Sequence, residues 1–353
     1  MTLAQLSLTR PDALVARDGG SHDACATCPT GAASALPDDA PIKVHRRFDR
    51  LARLVGDRGI GRLAAAHVVV VGCGGVGSFA AESLARSGVG RLTLVDFDLV
   101  CITNTNRQLH ALKGTVGRAK VDVMAERLRL VHPTARIDAV RAFYGEANRD
   151  ALLPALEQPT FVIDAIDNVT AKLDLIATCV RRGIPIIASM GAAGRLDPTR
   201  VRVDDLAFTV RDGLAKDVRK WLVRKHGIAV RADGTFGVPA VFSDEPMVDP
   251  ALVAADDAHG FDCVCPQSDN EVHTCEKRAR IDGSASFVTG AFGLAAASHV
   301  VRAIAAPEAA VRSAVTRKRA RAEPTTGADR RERRSIGSTK VPKASFAKRE
   351  GSA

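Results

Sequence analysis

The chain has no uninterrupted stretch of about 18 or more apolar residues, the length a helix needs to cross a bilayer, so no spanning helix is expected. Its first residues lack both a basic start and a clean apolar core, which argues against a secretory signal. Cysteine is sparse: eight residues, scattered, form no framework of paired spacings, and a reduced, cytoplasmic setting suits them better than a disulfide scaffold. One Cys-x-x-Cys pair occurs, Cys25 and Cys28, and no second one, whereas a structural zinc site takes four ligands. Cys263, Cys265, His273 and Cys275 sit at spacings that match no standard structural site, so zinc is not expected. Basic charge is also scarcer than the formal +10 implies. Residues 311–353 hold thirteen Lys/Arg against four Asp/Glu, which accounts for nine of those ten charges and leaves the rest of the chain near neutral.

What the chain does have is a nucleotide-type strand and turn. His67-Val68-Val69-Val70-Val71 reads as a buried parallel strand, and Gly72-Cys73-Gly74-Gly75-Val76-Gly77 places glycines where backbone must approach a phosphate before a helix begins. The start of that helix offers unpaired amides to an anion. Arg91–Asp96 reads as the next strand, and Asp96 lies about 20 residues past the glycines, where a dinucleotide fold puts its ribose carboxylate. A less generic stretch follows: Asp96-Phe97-Asp98, then Thr103-Asn104-Thr105-Asn106-Arg107-Gln108, then Gly117-Arg118-Ala119-Lys120. A hydride-transfer site has no use for a converging Arg and Lys, whereas a triphosphate needs both. Farther on, Asp164-Ala165-Ile166-Asp167-Asn168 ends an apolar strand at the edge where open α/β sheets bind ligands, and Asp167 there is a candidate for holding magnesium between phosphates.

Strands are expected at Phe161–Asp164, Pro185–Ser189 and Val201–Val203, and helices at Gly117–Val131, Thr170–Arg182 with a stop at Gly183, Leu206–Gly227 and Ser286–Ile304. Residues 228–286 read as irregular. The fold class is therefore α/β, a Rossmann-like doubly wound, mostly parallel sheet over residues 45–305. Residues 1–44 form a leader and residues 306–353 a basic tail, both expected to be disordered. The tail's mobile cations suit RNA tethering and solubility alike. Cys73, Cys101 and Cys179 are expected to pack rather than react.

Gly-x-Gly-Gly-x-Gly, Asp-x-Asp-x-Val, Asn-x-Asn-Arg-Gln, a following Lys and Asp-x-x-Asp-Asn, in that order, resemble the ubiquitin-activating-type (ThiF/MoeB) ATP-dependent adenylating superfamily. Arg47-Phe48, Ala52-Arg53-Leu54, Val100–His110, Met124–Arg127, Asp197-Pro198-Thr199, Phe242–Pro246 and Val288–Gly293 are similar to its tRNA threonylcarbamoyladenosine dehydratase branch. The resemblance implies ATP and Mg2+ as cofactors, tRNA as substrate, a homodimer, and a cysteine-desulfurase sulfur-transfer system as a further partner. It places Gly72, Gly74, Gly75, Gly77, Asp96, Asp98, Asn104, Asn106, Arg107, Lys120 and Asn168 around ATP. Arg107, Lys120 and Asp167 are implied in catalysis, together with an arginine that reaches into the partner subunit's site. Arg53 fits the dehydratase branch for that role and Arg50 the branch that activates sulfur carriers. Cys275, Cys263 and Cys265 are alternatives for a reactive cysteine. Asn168-Val169-Thr170, Met190–Gly194 and an insertion at 247–265 depart from the dehydratase pattern. An adenylyltransferase for the C-terminal glycine of a ubiquitin-like carrier, and a non-catalytic nucleotide-binding adaptor, are the alternative functions.

Overall fold

A computed structural model describes residues 45–155, 159–251 and 282–305. Both expected tails, Cys25, Cys28, Cys263, Cys265 and Cys275 lie outside the described residues. Among the described residues one sheet is built from β1 (His67–Val71), β2 (Arg91–Val95), β3 (Arg136–Val140), β4 (Phe161–Asp164), β5 (Ile186–Ser189), β6 (Val201–Asp205) and β7 (Pro239–Ser243). Their order is β3-β2-β1-β4-β5-β7-β6, and every neighbouring pair is parallel except β6 with β7.

β1 shows why an unbroken valine run belongs at the centre of such a sheet. Val68 and Val70 face a core shared with α1 (Asp49–Ala65), α2 (Gly77–Arg86), α3 (Lys120–Val131) and α7 (Ser286–Ala305). Val69 and Val71 face the other core, filled from α5 (Val169–Arg182) and α6 (Gly213–His226). With helices on both faces, alternation of polar and apolar residues is lost. Each such valine, moved from water into the core, contributes on the order of 1.5 kcal/mol or more.

Local signals set the helix ends. The Asn168 side chain accepts the Ala171 amide at the start of α5, and Gly183 ends it in the left-handed region at φ 66°. Asp212 caps α6 in the same way, accepting the Ala215 amide at 2.8 Å, and Gly227 stops it. The single helix expected over Leu206–Gly227 is thus two pieces: a 3-10 turn at Leu206–Phe208, then α6, separated by Arg211 at φ 55°. In α1, Gly56 takes φ 72° and ψ 167°, which separates the first turns from the rest.

α7 is long and apolar enough to cross a membrane, yet it packs inside the molecule, with Val288, Phe292, Ala296 and Val300 fully buried. Its Gly293 lies so close to α2 that a β-carbon there would sit 2.3 Å from the Val76 carbonyl oxygen. Two strands and two helices were not expected from the sequence: β3, β7, α1 and α4 (Arg149–Ala155). β7 lies within the stretch read as irregular, where it links β5 to β6.

Candidate nucleotide site

The chain runs from β1 outward to β2 and β3, then returns to the other side of β1 for β4. The carboxyl ends of β1 and β4 therefore form the crevice in which a doubly wound sheet takes its ligand. The glycine turn fills one side of it. Gly72 has φ 91°, and a β-carbon there would meet the Ala165 carbonyl oxygen at 2.6 Å; one on Gly77 would meet the Gly72 carbonyl oxygen at 1.8 Å. These two glycines close the turn against the exit of β4. Gly74 differs: the nearest atom to a β-carbon there is Gln108 Nε2 at 3.9 Å, so its outer side is open. Gly75 abuts the Thr289 side chain of α7. Among the described residues the Gly74, Gly75 and Val76 amides donate to no group, and α2 has no side-chain cap. Unpaired amides at the positive end of a helix make a phosphate cradle.

Asp96 stiffens that cradle. Its Oδ2 accepts the Cys73 amide at 2.7 Å and its Oδ1 the Asp98 amide at 2.8 Å. A carboxylate clamped this way holds the turn to the end of β2, which the ribose role expected from the sequence did not include. Lys120, nearly buried at the start of α3, donates through Nζ to Asp98 Oδ2 at 2.7 Å. Burial disfavours the Lys120 charge, but Asp96 and Asp98 outweigh it and hold the ammonium above its usual range. Burial pushes the Asp96 carboxyl up, and Lys120 pulls it back. Cys73 is raised by burial and by Asp96, so it stays a packed thiol. Cys179 is likewise pushed up to about 12 by burial.

The Asn/Arg loop closes the side nearest β2. Asn104 is buried and uses Oδ1 to accept the Cys101 amide at 3.1 Å, while its carbonyl receives the Gln108 amide. Asn106 donates to the Ser284 carbonyl at 2.8 Å. Both asparagines, expected as direct nucleotide contacts, thus spend side-chain atoms shaping the loop. Arg107 is placed by the Thr103 carbonyl and Asn106 Oδ1, each at 2.9 Å. Next to this loop, Gln108 Oε1 and both ring nitrogens of His110 are buried without hydrogen-bond partners among the described residues. Burial, with Lys120 adding to it, lowers the His110 pKa to about 3.

At the exit of β4, Asp164 is fully buried and pairs with the equally buried Lys172 at 2.7 Å. Lys172 also donates to the Ser189 carbonyl at 2.9 Å, and Asp164 Oδ1 accepts the Ile166 amide at 3.0 Å. The lysine partner of Asp164 is the part that sequence reasoning missed. This pair fixes the loop carrying Asp167, which is exposed, and Asn168, whose Oδ1 is engaged in capping α5. A strap at residues 282–285 crosses the mouth, held on one side by Asn106 and on the other by the Gly194 amide, which donates to the Gly283 carbonyl at 2.8 Å.

The fold therefore gathers the glycine turn, Asp96, Asp98, Arg107, Lys120, Asp167 and Asn168 at one sheet edge. Arg53 stands apart on the exposed first turns of α1, with Nε donating to Asp49 at 3.2 Å, and Arg50 is exposed on the same turns. Among the described residues no three His, Cys, Asp or Glu side chains form a metal cage.

The sequence profile of the ThiF family matches residues 48–335. The chain belongs to the ThiF family. This ThiF-family chain is 42% identical over 274 residues to the tRNA threonylcarbamoyladenosine dehydratase of Escherichia coli K12, covering 75% of its own length and 96% of that protein. It is 41% identical over 256 residues to the dehydratase of Bacillus subtilis 168, covering 72% of itself and 93% of the relative. Among solved structures, that of the E. coli enzyme in complex with ATP superposes with a TM-score of 0.64 at 40% identity, covering 75% of this chain and 96% of the other. The α/β fold expected for a ThiF-type chain is the fold observed.

Proposed function

We propose that this protein is an ATP-dependent dehydratase that closes the threonylcarbamoyl side chain of a modified tRNA adenosine, at position 37, into a ring. The observation that carries this reading is the similarity to dehydratases over nearly their whole length, one of them solved with ATP, in a chain whose glycine turn leaves three amides and an open Gly74 for phosphates.

The substrate carboxylate is a poor electrophile because its charge repels nucleophiles. ATP activates it as a mixed anhydride: a carboxylate oxygen attacks a phosphorus of ATP and displaces pyrophosphate or ADP, the carbamoyl nitrogen then attacks the acyl carbon and loses its proton, and that oxygen departs on AMP or phosphate. The net change is loss of one water from the adenosine. Ring closure within one side chain has an effective molarity of up to about 10⁵ M or more, so the protein need supply no external nucleophile. Its residues supply charge and position. The Gly74–Val76 amides and Arg107 take the phosphates, and Lys120, held by Asp98, offsets developing negative charge. Asp167, exposed at the edge, is the residue that would hold Mg2+, with the phosphates completing its shell. The exposed first turns of α1 suit Arg53 as the group supplied to the other subunit of a homodimer. The setting we propose is the cytoplasm, with a cysteine-desulfurase system as a further partner.

Asn168 is the residue that favours the carrier-activating alternative, but its Oδ1 already caps α5, which explains its presence without a protein substrate. Mass spectrometry of nucleosides from threonylcarbamoyl-modified tRNA, incubated with the protein with and without ATP and magnesium, tests the reading. An ATP-dependent loss of one water is expected. No change, with ATP–pyrophosphate exchange appearing only on addition of a ubiquitin-like carrier, would transfer the assignment to the carrier branch.

A further inference from the structure

A groove of about 800 Å³ runs along α5 on the face of the sheet opposite α2 and α7. Asn168 lines one end and Arg181, Lys225 and His226 line the other, with Arg149 and Asp174 between them. From Asn168 to Arg181 is thirteen residues of helix, or about 20 Å. The Asn168 end lies beside Asp167 at the sheet's carboxyl edge. The groove therefore leads away from the proposed reaction centre rather than forming part of it.

α6 forms one bank, and its charge is one-sided. Residues 211–226 contain six Lys/Arg and two Asp. Of the two acids, Asp212 is buried as the cap and also accepts the Gly191 amide at 3.0 Å, which ties the start of α6 to the end of β5. Ala215, Val218 and Leu222 turn inward, while Lys216, Lys220 and Arg224, four residues apart, form an exposed row. No carboxylate lies within ion-pair distance of these three or of Lys225 among the described residues. The chain's single Trp, Trp221, carries Lys220 and Lys225 over its ring, each with Nζ 4.7 Å from the centroid. An aromatic seat holds these ammonium groups in place while leaving them open to an anion. Arg181 is held at the groove end by donating to the His226 carbonyl at 2.7 Å. Arg149 is different: its guanidinium is taken up by Asp174 at 2.6 Å, so it builds the wall.

An ordinary solvated helix face intersperses both signs of charge. Here Arg181 and Lys225 stand at one end of a groove that Glu146 and Asp174 also line, and the exposed row of Lys216, Lys220 and Arg224 extends the positive surface along α6, an arrangement complementary to a polyanion whose one reactive residue must enter the catalytic edge. We infer that the α5 groove and the Lys/Arg row of α6 bind the sugar-phosphate backbone of the tRNA, with the modified adenosine at the Asn168 end. The inference rests on the proposed dehydratase function for its choice of polyanion. It locates RNA binding on the folded domain, apart from the basic residues beyond position 310.

The test uses the full chain and an unmodified tRNA transcript, with affinity measured by fluorescence anisotropy across a range of KCl concentrations. Binding needs no turnover, so this measurement is separate from the dehydration assay. K220A/R224A/K225A should lower the slope of log affinity against log salt by about 2–3 and weaken binding at 0.1 M salt by about tenfold or more. KM for modified tRNA should rise by a similar factor with kcat kept within about twofold. R46A/R47A, on the opposite face, should leave affinity and slope unchanged. If the triple variant fails to fold, K216A/R224A, which leaves Trp221 and its lysines in place, decides with an expected slope change of about 2. Unchanged affinity and slope in the α6 variants would overturn the inference. tRNA binding that depends on α6, without any dehydration by the wild-type protein, would uphold the groove and remove the dehydratase reading.

Discussion

Replacing Lys172 by methionine removes one half of a fully buried ion pair and leaves Asp164 without a counter-charge. Burial already pushes the Asp164 carboxyl up, and Lys172 is the main influence holding it down. The variant also strips the Ser189 carbonyl of its 2.9 Å donor. Breaking a buried pair from one side costs about 3–5 kcal/mol. For a folded body of this size each kcal/mol moves the melting temperature by about 2–4 °C, so a fall of roughly 6–20 °C is expected by scanning calorimetry. The double variant K172M/D164N should recover a good part of that loss. It leaves no buried charge, and asparagine can still accept the Ile166 amide that Asp164 now holds at 3.0 Å. The single variant should also lose activity beyond its loss of folded protein, since the loop it loosens carries Asp167. Wild-type melting in K172M, or a double variant less stable than the single one, would refute the argument that this pair matters through charge balance.

Three further outcomes are expected. G72A should unfold readily, because a β-carbon there meets the Ala165 carbonyl at 2.6 Å, whereas G74A should keep wild-type melting and lose ATP affinity, read by calorimetric titration. Acid should destabilise the fold through His110. The unfolded chain takes up a proton below pH 6.5 that the native ring refuses until about 3, so stability falls as pH drops through that window, by about 2 kcal/mol at pH 5. H110L should lose correspondingly less stability between pH 7 and pH 5 in urea titrations, and an identical loss would show that another group is responsible. R107A should reduce ATP-dependent turnover by at least about 100-fold, beyond any change in the folded fraction read by melting, since a cation set on the phosphates stabilises charge that develops in the reaction.

The parts of the fold that were legible in the sequence are those whose residues carry the reason for their structure locally. β1 is apolar at every position because both faces are covered, and α5 has its cap and its glycine stop written at Asn168 and Gly183. β3 escaped notice because it is an edge strand in which only Ile137 is buried, while Asp138 pairs with both Arg136 and Arg91. β7 begins at a proline and is only five residues long, and its partners, β5 and β6, lie far away in sequence. At the site, the glycine turn, Asp96, Arg107 and Lys120 were legible from type and order. Their division of labour was not. That Gly72 and Gly77 serve the turn while Gly74 faces outward depends on the carbonyl oxygens of Ala165 and Gly72. That Lys120 answers to Asp98, and Lys172 to Asp164, depends on contacts across 22 and 8 residues that no periodicity marks. A lysine in the first turn of a helix reads as solvated until the carboxylate beside it is seen.

The strap at residues 282–285 ties the two halves of the sheet together at its carboxyl edge. Hydrogen bonds reach it from both halves of the sheet, Asn106 to Ser284 and Gly194 to Gly283. Bonds of this kind, open to water, contribute about 0.5–1.5 kcal/mol each, so the two together add about 1–3 kcal/mol. The turn beneath it is held differently, since Gly72 lies against the exit of β4 and Asp96 clamps Cys73. The two halves of the sheet's carboxyl edge are thus joined by weak bonds exposed to water, over a glycine turn that close backbone contacts hold in one shape.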